Sequence, residues 1–291
     1  MWQITRDRDR QVLQIDTPVE TRYAIPQVET DLSRIRAVMM DMDGSSTDTE
    51  KQVLEAMRQM MADALGRESF VFLKEDYPHI IGDSTSNHVT YLVRRYGLEP
   101  DRRDEYIARY YHYYHAMLAD IRDGKREDCL IEPMPMLGEF LVWARGQGLK
   151  LGLVTSSLQK ELDIVMPEVF RRLGWDLPYR SFYDATISAD AVGEPFLKPH
   201  PNLYVLMAQQ LGVRPGEAIV IEDSTAGMAA ARIAGFSVAA VPHRHTADHN
   251  MDLADLGVMH GGLRDVHELL SRNMADRSPD GTPATRKDDR S

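Results

Sequence analysis

Cysteine is almost missing from this sequence: Cys129 is the single cysteine in 291 residues. One cysteine cannot form an internal disulfide, which excludes a disulfide-stapled secreted domain and makes a reducing compartment the default. Long apolar runs are missing as well, since no stretch approaches the ~18 continuous apolar residues of a membrane span, and the N-terminus has no signal-like apolar block. We therefore expect a soluble, cytoplasmic protein without a membrane partner.

Positive charge is also in short supply. The sequence has 34 Lys and Arg against 45 Asp and Glu, which gives a formal net charge of −11. Such a chain has no general attraction for nucleic acid, so a nucleic-acid partner is not expected. Any phosphate-bearing ligand must then be held by local positive groups or by a metal ion. Composition leaves the oligomeric state open.

The most informative stretch of the chain is residues 34–50. An apolar run from Ile35 to Met40 ends in Asp41, Asp43 and Gly44, which predicts a buried strand that carries two carboxylates at its carboxyl end. Ligands bind at that end of the strands in open α/β sheets. The Asp-x-Asp-Gly pattern alone is equally compatible with a solvated acidic turn or a calcium loop, but a helix–loop–helix calcium site would follow a helix.

The segment that follows, residues 51–133, has the pattern of a helical bundle. Its apolar side chains recur at helical spacing in three stripes. The third stripe, around Tyr106, Tyr110 and Tyr114, is rich in tyrosine. We interpret these rings as core and not as a ligand-stacking surface, because aromatics three and four residues apart on a helix are usually core.

Strand and helix patterns alternate after residue 134, which predicts parallel strands with helices on both faces. The predicted fold class is therefore α/β, with a Rossmann-like parallel sheet and an inserted α-helical cap. The boundaries that we expect are an N-terminal extension at 1–34 with a possible short strand near Gln11, a core at 35–50 and 134–271, a helical cap at 51–133, and a disordered tail at 272–291.

Polar residues also follow two other predicted strands. Thr155 and Ser156 end one strand, and Glu222 and Asp223 end another. Because all carboxyl ends of a parallel sheet lie on one edge, these residues are expected to converge with the first two aspartates. Glu222 and Asp223 would supply carboxylates for a divalent cation such as Mg²⁺. Taken alone, residues 155–157 or 222–224 could instead cap the helix that follows, the second of them near Thr225.

The converging groups suit phosphate chemistry. Asp41 is a candidate nucleophile because a carboxylate can accept a phosphoryl group, and Asp43 could act as general acid and then general base. Thr155 and Ser156 could bind phosphate oxygens. Lys198, held in a proline-bracketed loop, would neutralise both the nucleophile and the phosphate, although a lone lysine is more often a solvated surface residue.

Four motifs together resemble the haloacid dehalogenase superfamily, in the branch with a helical cap that includes β-phosphoglucomutase-like enzymes and sugar-phosphate phosphatases. The similarity covers roughly residues 35 to 245. The motifs are Asp41-Met-Asp-Gly, Leu153-Val-Thr-Ser-Ser, Leu197-Lys-Pro-His-Pro and Ile219-Val-Ile-Glu-Asp-Ser-Thr-Ala-Gly.

The resemblance implies an Mg²⁺-dependent phosphatase that acts on a small phosphorylated metabolite, a sugar or polyol phosphate, through an aspartyl phosphate. The residue roles that it implies are Asp41 as nucleophile, Asp43 as acid and base, Thr155 and Lys198 as phosphate binders, and Asp41, the Asp43 main-chain carbonyl and Asp223 as Mg²⁺ ligands with Glu222 nearby.

The sequence also departs from the family pattern. Ser45 and Ser46 stand where the family has larger side chains, and these hydroxyls would either alter packing or add polar contacts. Thr85 stands where phosphomutases of the family have an arginine that grips a second phosphate, which favours hydrolysis over mutase activity. A weakly active binding or regulatory protein is the third hypothesis.

Two further segments have open interpretations. The polar loop from Gly82 to His88 either faces the site or simply starts a helix with Ser84 or Thr85 as N-cap. Arg94, Arg95 or Lys74 could replace the missing arginine from elsewhere. The histidines at 243, 245 and 249 could bind zinc, although a solvated loop is the more ordinary explanation.

Overall fold

The computed structural model describes residues 2–7, 10–16, 20–126, 130–244, 246 and 249–274. Cys129 and almost all of the predicted C-terminal tail lie outside these residues. Within the described part of the chain, no helix is both long and apolar enough to span a bilayer.

The N-terminal extension forms a three-stranded antiparallel sheet, with β1 (Trp2–Asp7), β2 (Arg10–Ile15) and β3 (Thr21–Ala24) in that spatial order. The sequence predicts β2 alone, because the other two strands have no fully apolar run. Leu13 and Ile15 are buried in the same apolar cluster as the central sheet. The extension is thus packed onto the α/β core.

The remaining chain alternates strands and helices after a helical insert. The strands are β4 (Ala37–Asp41), β5 (Thr47–Asp48), β6 (Glu132–Pro133), β7 (Lys150–Val154), β8 (Ala185–Ile187), β9 (Ala218–Glu222), β10 (Ser237–Ala240) and β11 (Gly257–Val258). The helices are α1 (Glu50–Ala64), α2 (Tyr77–Ile80), α3 (Thr85–Tyr96), α4 (Arg103–Arg122), α5 (Leu137–Gly146), α6 (Gln159–Arg172), α7 (Tyr179–Phe182), α8 (Asn202–Leu211), α9 (Thr225–Ile233) and α10 (Leu263–Met274).

Six parallel strands form the central sheet in the order β11-β10-β9-β4-β7-β8. Strand β4 lies in the middle and is buried along its whole length. Its side chains alternate between two apolar clusters: Val38 and Met40 pack with α5, α6 and α10, whereas Ala37 and Met39 pack with α8 and α9. The predicted α/β fold, a parallel sheet with helices on both faces, is confirmed.

The helical insert consists of α1 to α4, between β5 and β6. Thr47 pairs with Pro133 and Asp48 with Glu132, so the chain leaves and re-enters the core side by side. The apolar stripes are buried as predicted, with Met57 and Met60 fully inaccessible.

Two elements near the C-terminus are absent from the sequence-based prediction. Strand β11 is only two residues long and carries too little pattern to detect. Helix α10 buries Leu263, Val266, Leu270 and Met274 at helical spacing, a stripe that the sequence analysis did not use. The expected start of the disordered tail at residue 272 is wrong, since α10 extends to Met274; residues 275–291 lie outside the described part.

Gly152 in β7 provides a test of the packing between the sheet and α8. A Cβ placed on Gly152 would lie 2.5 Å from Met207 Sδ. Gly152→Ala is expected to lower the free energy of unfolding by ~1–3 kcal/mol, because the substitution overpacks a filled core. Urea unfolding followed by circular dichroism measures the change.

The matched control is Gly146→Ala at the end of α5, where a Cβ would have no heavy atom within 4 Å. This variant is expected to be unchanged or more stable by up to ~1 kcal/mol, since alanine has the better helix propensity. Equal stability of the two variants would contradict the close packing of α8 on β7.

Candidate active site

The register of the central sheet brings the predicted site residues to one edge. Asp41 pairs with Val154 at the ends of β4 and β7, and Met40 pairs with Ile221 one residue before the end of β9. The residues that follow these positions must therefore meet. The ones that line a common cavity of about 130 Å³ are Asp41, Asp43, Thr155, Ser156, Lys198 and Asp223. Glu222 is fully buried beside this cavity.

The helical insert closes the other side of the same cavity. Its contribution is the loop from Ile81 to Ser86 and the hydroxyl-bearing side chains of Tyr110, Tyr111 and Tyr114. The interpretation of the tyrosine stripe as core is right for Tyr106, which is buried and does not line the cavity. It is incomplete for Tyr110 and Tyr114, which are buried and also face the site.

Lys198 lies between two buried carboxylates. Its Nζ donates to Asp41 Oδ1 at 2.5 Å and to Glu222 Oε1 at 2.6 Å, and the side chain is only 6% exposed. Burial lowers the pKa of Lys198, but the charges of Asp41 and Glu222 more than offset this effect and the net pKa is raised. The ammonium group therefore remains charged in the site. The alternative of a solvated surface lysine is wrong.

Glu222 is fixed by hydrogen bonds on both oxygens. Tyr204 OH donates to Oε1 at 2.7 Å, and Oε2 accepts from Ser224 Oγ at 3.1 Å and from the Asp223 amide at 3.1 Å. A carboxylate held in this way serves mainly to orient Lys198. The role of Tyr204 was missed by sequence analysis, because nothing local marks a helical tyrosine 18 residues away as its partner.

Asp43 is held by three hydroxyl groups. Thr49 Oγ1 donates to Oδ1, while Ser157 Oγ at 2.8 Å and Thr155 Oγ1 at 3.3 Å donate to Oδ2. Burial raises the pKa of Asp43, and the hydrogen bonds from Thr49 and Ser157 oppose part of that rise. A positioned carboxyl group with a raised pKa suits proton transfer. Thr49 and Ser157 were not predicted, although Ser157 adjoins the predicted pair.

Thr155 and Ser156 have different environments. Thr155 Oγ1 also accepts from the Ser157 amide at 2.9 Å, so this hydroxyl shapes the loop and orients Asp43. Ser156 Oγ is buried, has no hydrogen-bond partner among the described residues and belongs to the cavity wall. A buried hydroxyl without a partner fits a bound anion. Neither residue caps α6, whose N-cap is Leu158.

Asp223 forms an acidic pair with Glu50, and His243 bridges them. His243 Nε2 lies 3.0 Å from Asp223 Oδ2 and 2.8 Å from Glu50 Oε1. Burial lowers the pKa of His243, but hydrogen bonds to the two carboxylates more than offset this and raise it to about 10. Burial raises the pKa of Asp223 to about 6, against the opposing hydrogen bond from His243.

The zinc hypothesis for the histidines has no support among the described residues. His243 faces the acidic pair, whereas His249 Nδ1 accepts from the Thr225 amide at 3.2 Å. His245 lies outside the described residues. Glu50 was missed as a site residue, and His243 was considered only for zinc, because they come from α1 and from a loop after β10 and only the fold brings them together.

The two serines after the first motif add polar contacts. Ser46 Oγ donates to the Asp41 carbonyl at 2.6 Å, and Ser45 Oγ donates to Asp223 Oδ1 at 3.4 Å. The adjacent Gly44 has φ +87°, and a Cβ there would lie 2.3 Å from Asp223 Oδ2. The small residues therefore let the loop after β4 approach Asp223 closely.

The acidic groups fit a hard divalent cation. Ligand atoms of Asp41, Glu222 and Asp223 lie within 4.8 Å of one another. Oxygen donors and an excess of negative charge are what Mg²⁺ requires. The Asp43 side chain is not part of this group, and the role of its main-chain carbonyl as a ligand stays a prediction. Asp41 and Asp223 line the cavity, whereas Glu222 is buried beside it, so Asp41 and Asp223 are the better side-chain ligands for an ion in the cavity.

Helix capping and site formation coexist in two loops. Ser224 caps α9 by accepting from the Gly227 amide at 3.1 Å, and Ser84 caps α3 by accepting from the Asn87 amide at 3.3 Å. Both serines also line the cavity. The capping interpretation is therefore confirmed for both segments, and their roles in binding stay predictions.

A family model and curated relatives both place this chain among hydrolases. The family model for haloacid dehalogenase-like hydrolases matches residues 35–235. The phosphorylated carbohydrates phosphatase of Thermotoga maritima is 27% identical over 201 residues, which cover 69% of this chain and 82% of that protein. The fructose-1-phosphate phosphatase YqaB of Escherichia coli is 27% identical over 204 residues, which cover 69% of this chain and 94% of that protein.

Solved structures share the fold. CbbY from Rhodobacter sphaeroides in complex with phosphate has a TM-score of 0.60 at 23% identity, and the match covers 78% of this chain and 99% of that one. The family match begins at residue 35, so the N-terminal sheet precedes it.

The buried Lys198 gives a prediction on stability. Lys198→Met leaves Asp41 and Glu222 facing each other without a cation, so the free energy of unfolding in EDTA is expected to fall by ~3–5 kcal/mol. Adding Glu222→Gln to this variant should restore part of the loss, because one unpaired carboxylate is removed. Urea unfolding of both proteins measures these changes.

Lys125→Met is the matched control, since Lys125 is 64% exposed where it pairs with Asp123. The control should leave the unfolding curve nearly unchanged. A Lys198 variant that is as stable as this control would contradict the buried ion-pair arrangement.

Proposed function

The chain belongs to the haloacid dehalogenase-like hydrolase family and is a phosphoric monoester hydrolase, and we propose that it hydrolyses a small sugar or polyol monophosphate through an aspartyl phosphate on Asp41. The observation that carries this proposal is the buried Lys198 ammonium, held against Asp41 at 2.5 Å beside a hydroxyl-lined cavity. The ammonium restrains the nucleophile and offers positive charge to an incoming phosphate.

The first step transfers the phosphoryl group. A carboxylate oxygen of Asp41 attacks phosphorus, and the bond between phosphorus and the ester oxygen breaks. Asp43 gives its proton to that departing oxygen, so the alcohol leaves neutral. The three hydroxyl groups that donate hydrogen bonds to Asp43 hold its carboxyl group in position while this proton is transferred.

The second step releases phosphate. Asp43, now ionised, takes a proton from a water molecule, and the water oxygen attacks phosphorus as the bond to the Asp41 oxygen breaks. Inorganic phosphate is released, Asp41 is again a free carboxylate, and Asp43 is again protonated. The helical insert, which covers the cavity in this structure, would limit water access until the alcohol has left.

Asp41, Asp223 and the main-chain carbonyl of Asp43 are the groups that would hold Mg²⁺. When bound, the ion supplies positive charge that lowers the repulsion between an anionic substrate and an anionic nucleophile. His243 and Ser45 orient Asp223 through one hydrogen bond to each of its carboxylate oxygens.

The substrate class follows from the wall that the insert provides. Tyr110, Tyr111, Ser84, Thr85 and Asp83 present hydroxyl and carboxylate groups to the cavity. Such groups pair with the hydroxyls of a polyol or sugar. Two relatives are named as phosphatases of phosphorylated carbohydrates and of fructose 1-phosphate, which supports the same class.

Hydrolysis is favoured over mutase activity because the cavity offers no grip for a second phosphate. Among the described residues that line it, Lys198 is the only lysine or arginine. Arg94, Arg95 and Lys74, the possible substitutes, do not line the cavity; Arg95 instead lies 3.5 Å from Asp76.

The proposed role of Asp41 as nucleophile is tested by comparing phosphate release by the wild-type protein and by Asp41→Asn in the presence of Mg²⁺. We expect the wild-type protein to release inorganic phosphate from at least one sugar or polyol monophosphate, and Asp41→Asn to be at least ~10³-fold slower, because an amide cannot form the phosphoryl intermediate. EDTA should abolish turnover and added Mg²⁺ should restore it. Phosphorus NMR distinguishes free phosphate from an isomerised ester.

The control is Asp48→Asn, an acid-to-amide change at a residue outside the cavity that pairs with Arg244; it should retain normal turnover. A new ester signal that requires a bisphosphate would indicate a mutase. If the wild-type protein hydrolysed none of a broad panel of phosphate esters, the result would favour a binding protein.

The missing second phosphate site is tested with Thr85→Arg. The monophosphate that the phosphorus NMR panel reveals as a substrate is compared with its bisphosphate counterpart. The wild-type protein should have the higher kcat/KM for the monophosphate. The new guanidinium should shift that ratio toward the bisphosphate by about tenfold or more, which corresponds to ~1.4 kcal/mol. Gln209→Arg on the exposed side of α8 adds the same charge elsewhere and should leave the ratio unchanged.

A further inference from the structure

The N-terminal sheet reaches the wall of the active-site cavity through one side chain. The indole Nε1 of Trp2, at the start of β1, donates to Asp83 Oδ2 at 2.8 Å. Asp83 belongs to the helical insert and lines the cavity. A residue from the first strand of the chain thus holds a carboxylate that faces the substrate site.

Asp83 is fixed from both sides. Its other oxygen, Oδ1, accepts from the Ser84 amide at 2.6 Å and from Asn87 Nδ2 at 2.8 Å. The insert therefore supplies two donors and the N-terminal sheet supplies the third. Without Trp2, Oδ2 loses the indole donor that orients it.

The same sheet is anchored on the core close to the phosphate site. Leu13 and Ile15 are buried against the core helices. Tyr23 OH lies 3.2 Å from Nδ1 of His200, two residues after Lys198. The sheet is therefore attached to the core through β2 and β3 and to the insert through β1.

The insert loop also contacts the core directly at this point. A Cβ placed on Gly82 would lie 2.6 Å from His249 Cε1 and 2.9 Å from Ser224 Cβ. The N-terminal sheet, the insert loop and the core loop after β9 therefore meet at one junction beside the cavity.

We propose that the N-terminal sheet is a clasp between core and insert, and that Trp2 is a positioning residue which holds Asp83 toward the part of the substrate that carries no phosphate. The clasp lies ahead of residue 35, where the family match begins, so it is an addition to the common fold of this chain. Its effect on substrate selection rests on the proposed function, whereas its effect on the insert loop does not.

The first test measures the loop without any substrate. Trp2→Phe keeps an aromatic ring and removes the N–H donor. Hydrogen–deuterium exchange at the Ser84 and Asn87 amides should become about fivefold faster or more, the factor that corresponds to a net hydrogen bond of ~1 kcal/mol. Trp143→Phe, on α5 against His267, should leave these amides unchanged. If the exchange rates of the Ser84 and Asn87 amides were unchanged in Trp2→Phe, the proposed clasp would be wrong.

The second test separates positioning from general damage. For a sugar monophosphate, Trp2→Phe should raise KM several-fold and leave kcat within about twofold. With acetyl phosphate, which has no hydroxyls for Asp83 to bind, both constants should match those of the wild-type protein. An equal rise in KM for both substrates would overturn the positioning role.

If Trp2 positions Asp83, the effects of Trp2→Phe and Asp83→Ala on KM for the sugar monophosphate should be non-additive. Both substitutions weaken the same contact between Asp83 and the substrate. Fully additive effects would contradict it. If the wild-type protein hydrolyses no sugar or polyol phosphate, the proposed function fails, and the exchange measurement still decides whether the clasp exists.

Discussion

The ammonium of Lys198, held between Asp41 and Glu222, is the interaction on which the site depends. Two carboxylates that meet at the buried edge of a sheet repel each other. Burial raises the pKa of Asp41, and the charge of Lys198 opposes that rise. Lys198 holds the two groups close through a hydrogen bond to each, and Tyr204 fixes Glu222 on its far side. The same charge then remains available to an incoming phosphate, so one contact supports both the fold and the chemistry.

The register of the parallel strands brings the other site residues next to this contact. Because β4, β7 and β9 end at the same level, the sequence alone was enough to predict that Asp41, Thr155 and Glu222 would converge. These predictions succeeded since they rest on strong local signals, namely apolar runs that stop at charged residues. The helical stripes of the insert were predictable for the same reason, as amphipathic spacing survives without knowledge of the fold.

The remaining parts of the site depend on contacts that no local pattern encodes. His243 reaches Asp223 and Glu50 only because a loop after β10 folds back over the start of α1. The three-stranded N-terminal sheet is half exposed, so β1 has no apolar run to announce it. Tyr110 is both core and cavity wall, a dual role that helical spacing cannot separate, because the periodicity reports burial and not what the buried face encloses.

The division of charge across the cavity explains how one side chain from β1 can matter for the site. The core side holds the charged groups Asp41, Lys198 and Asp223, whereas the insert loop holds hydroxyls and Asp83. Burial raises the pKa of Asp83 to about 6, against the hydrogen bonds that it accepts. A carboxylate on that wall accepts most strongly from a sugar hydroxyl when it is ionised and correctly turned. The indole of Trp2 favours both conditions, since a donor at Oδ2 stabilises the charged form and fixes its direction. Selection of the substrate's uncharged part therefore depends on a contact made from outside the family's common fold.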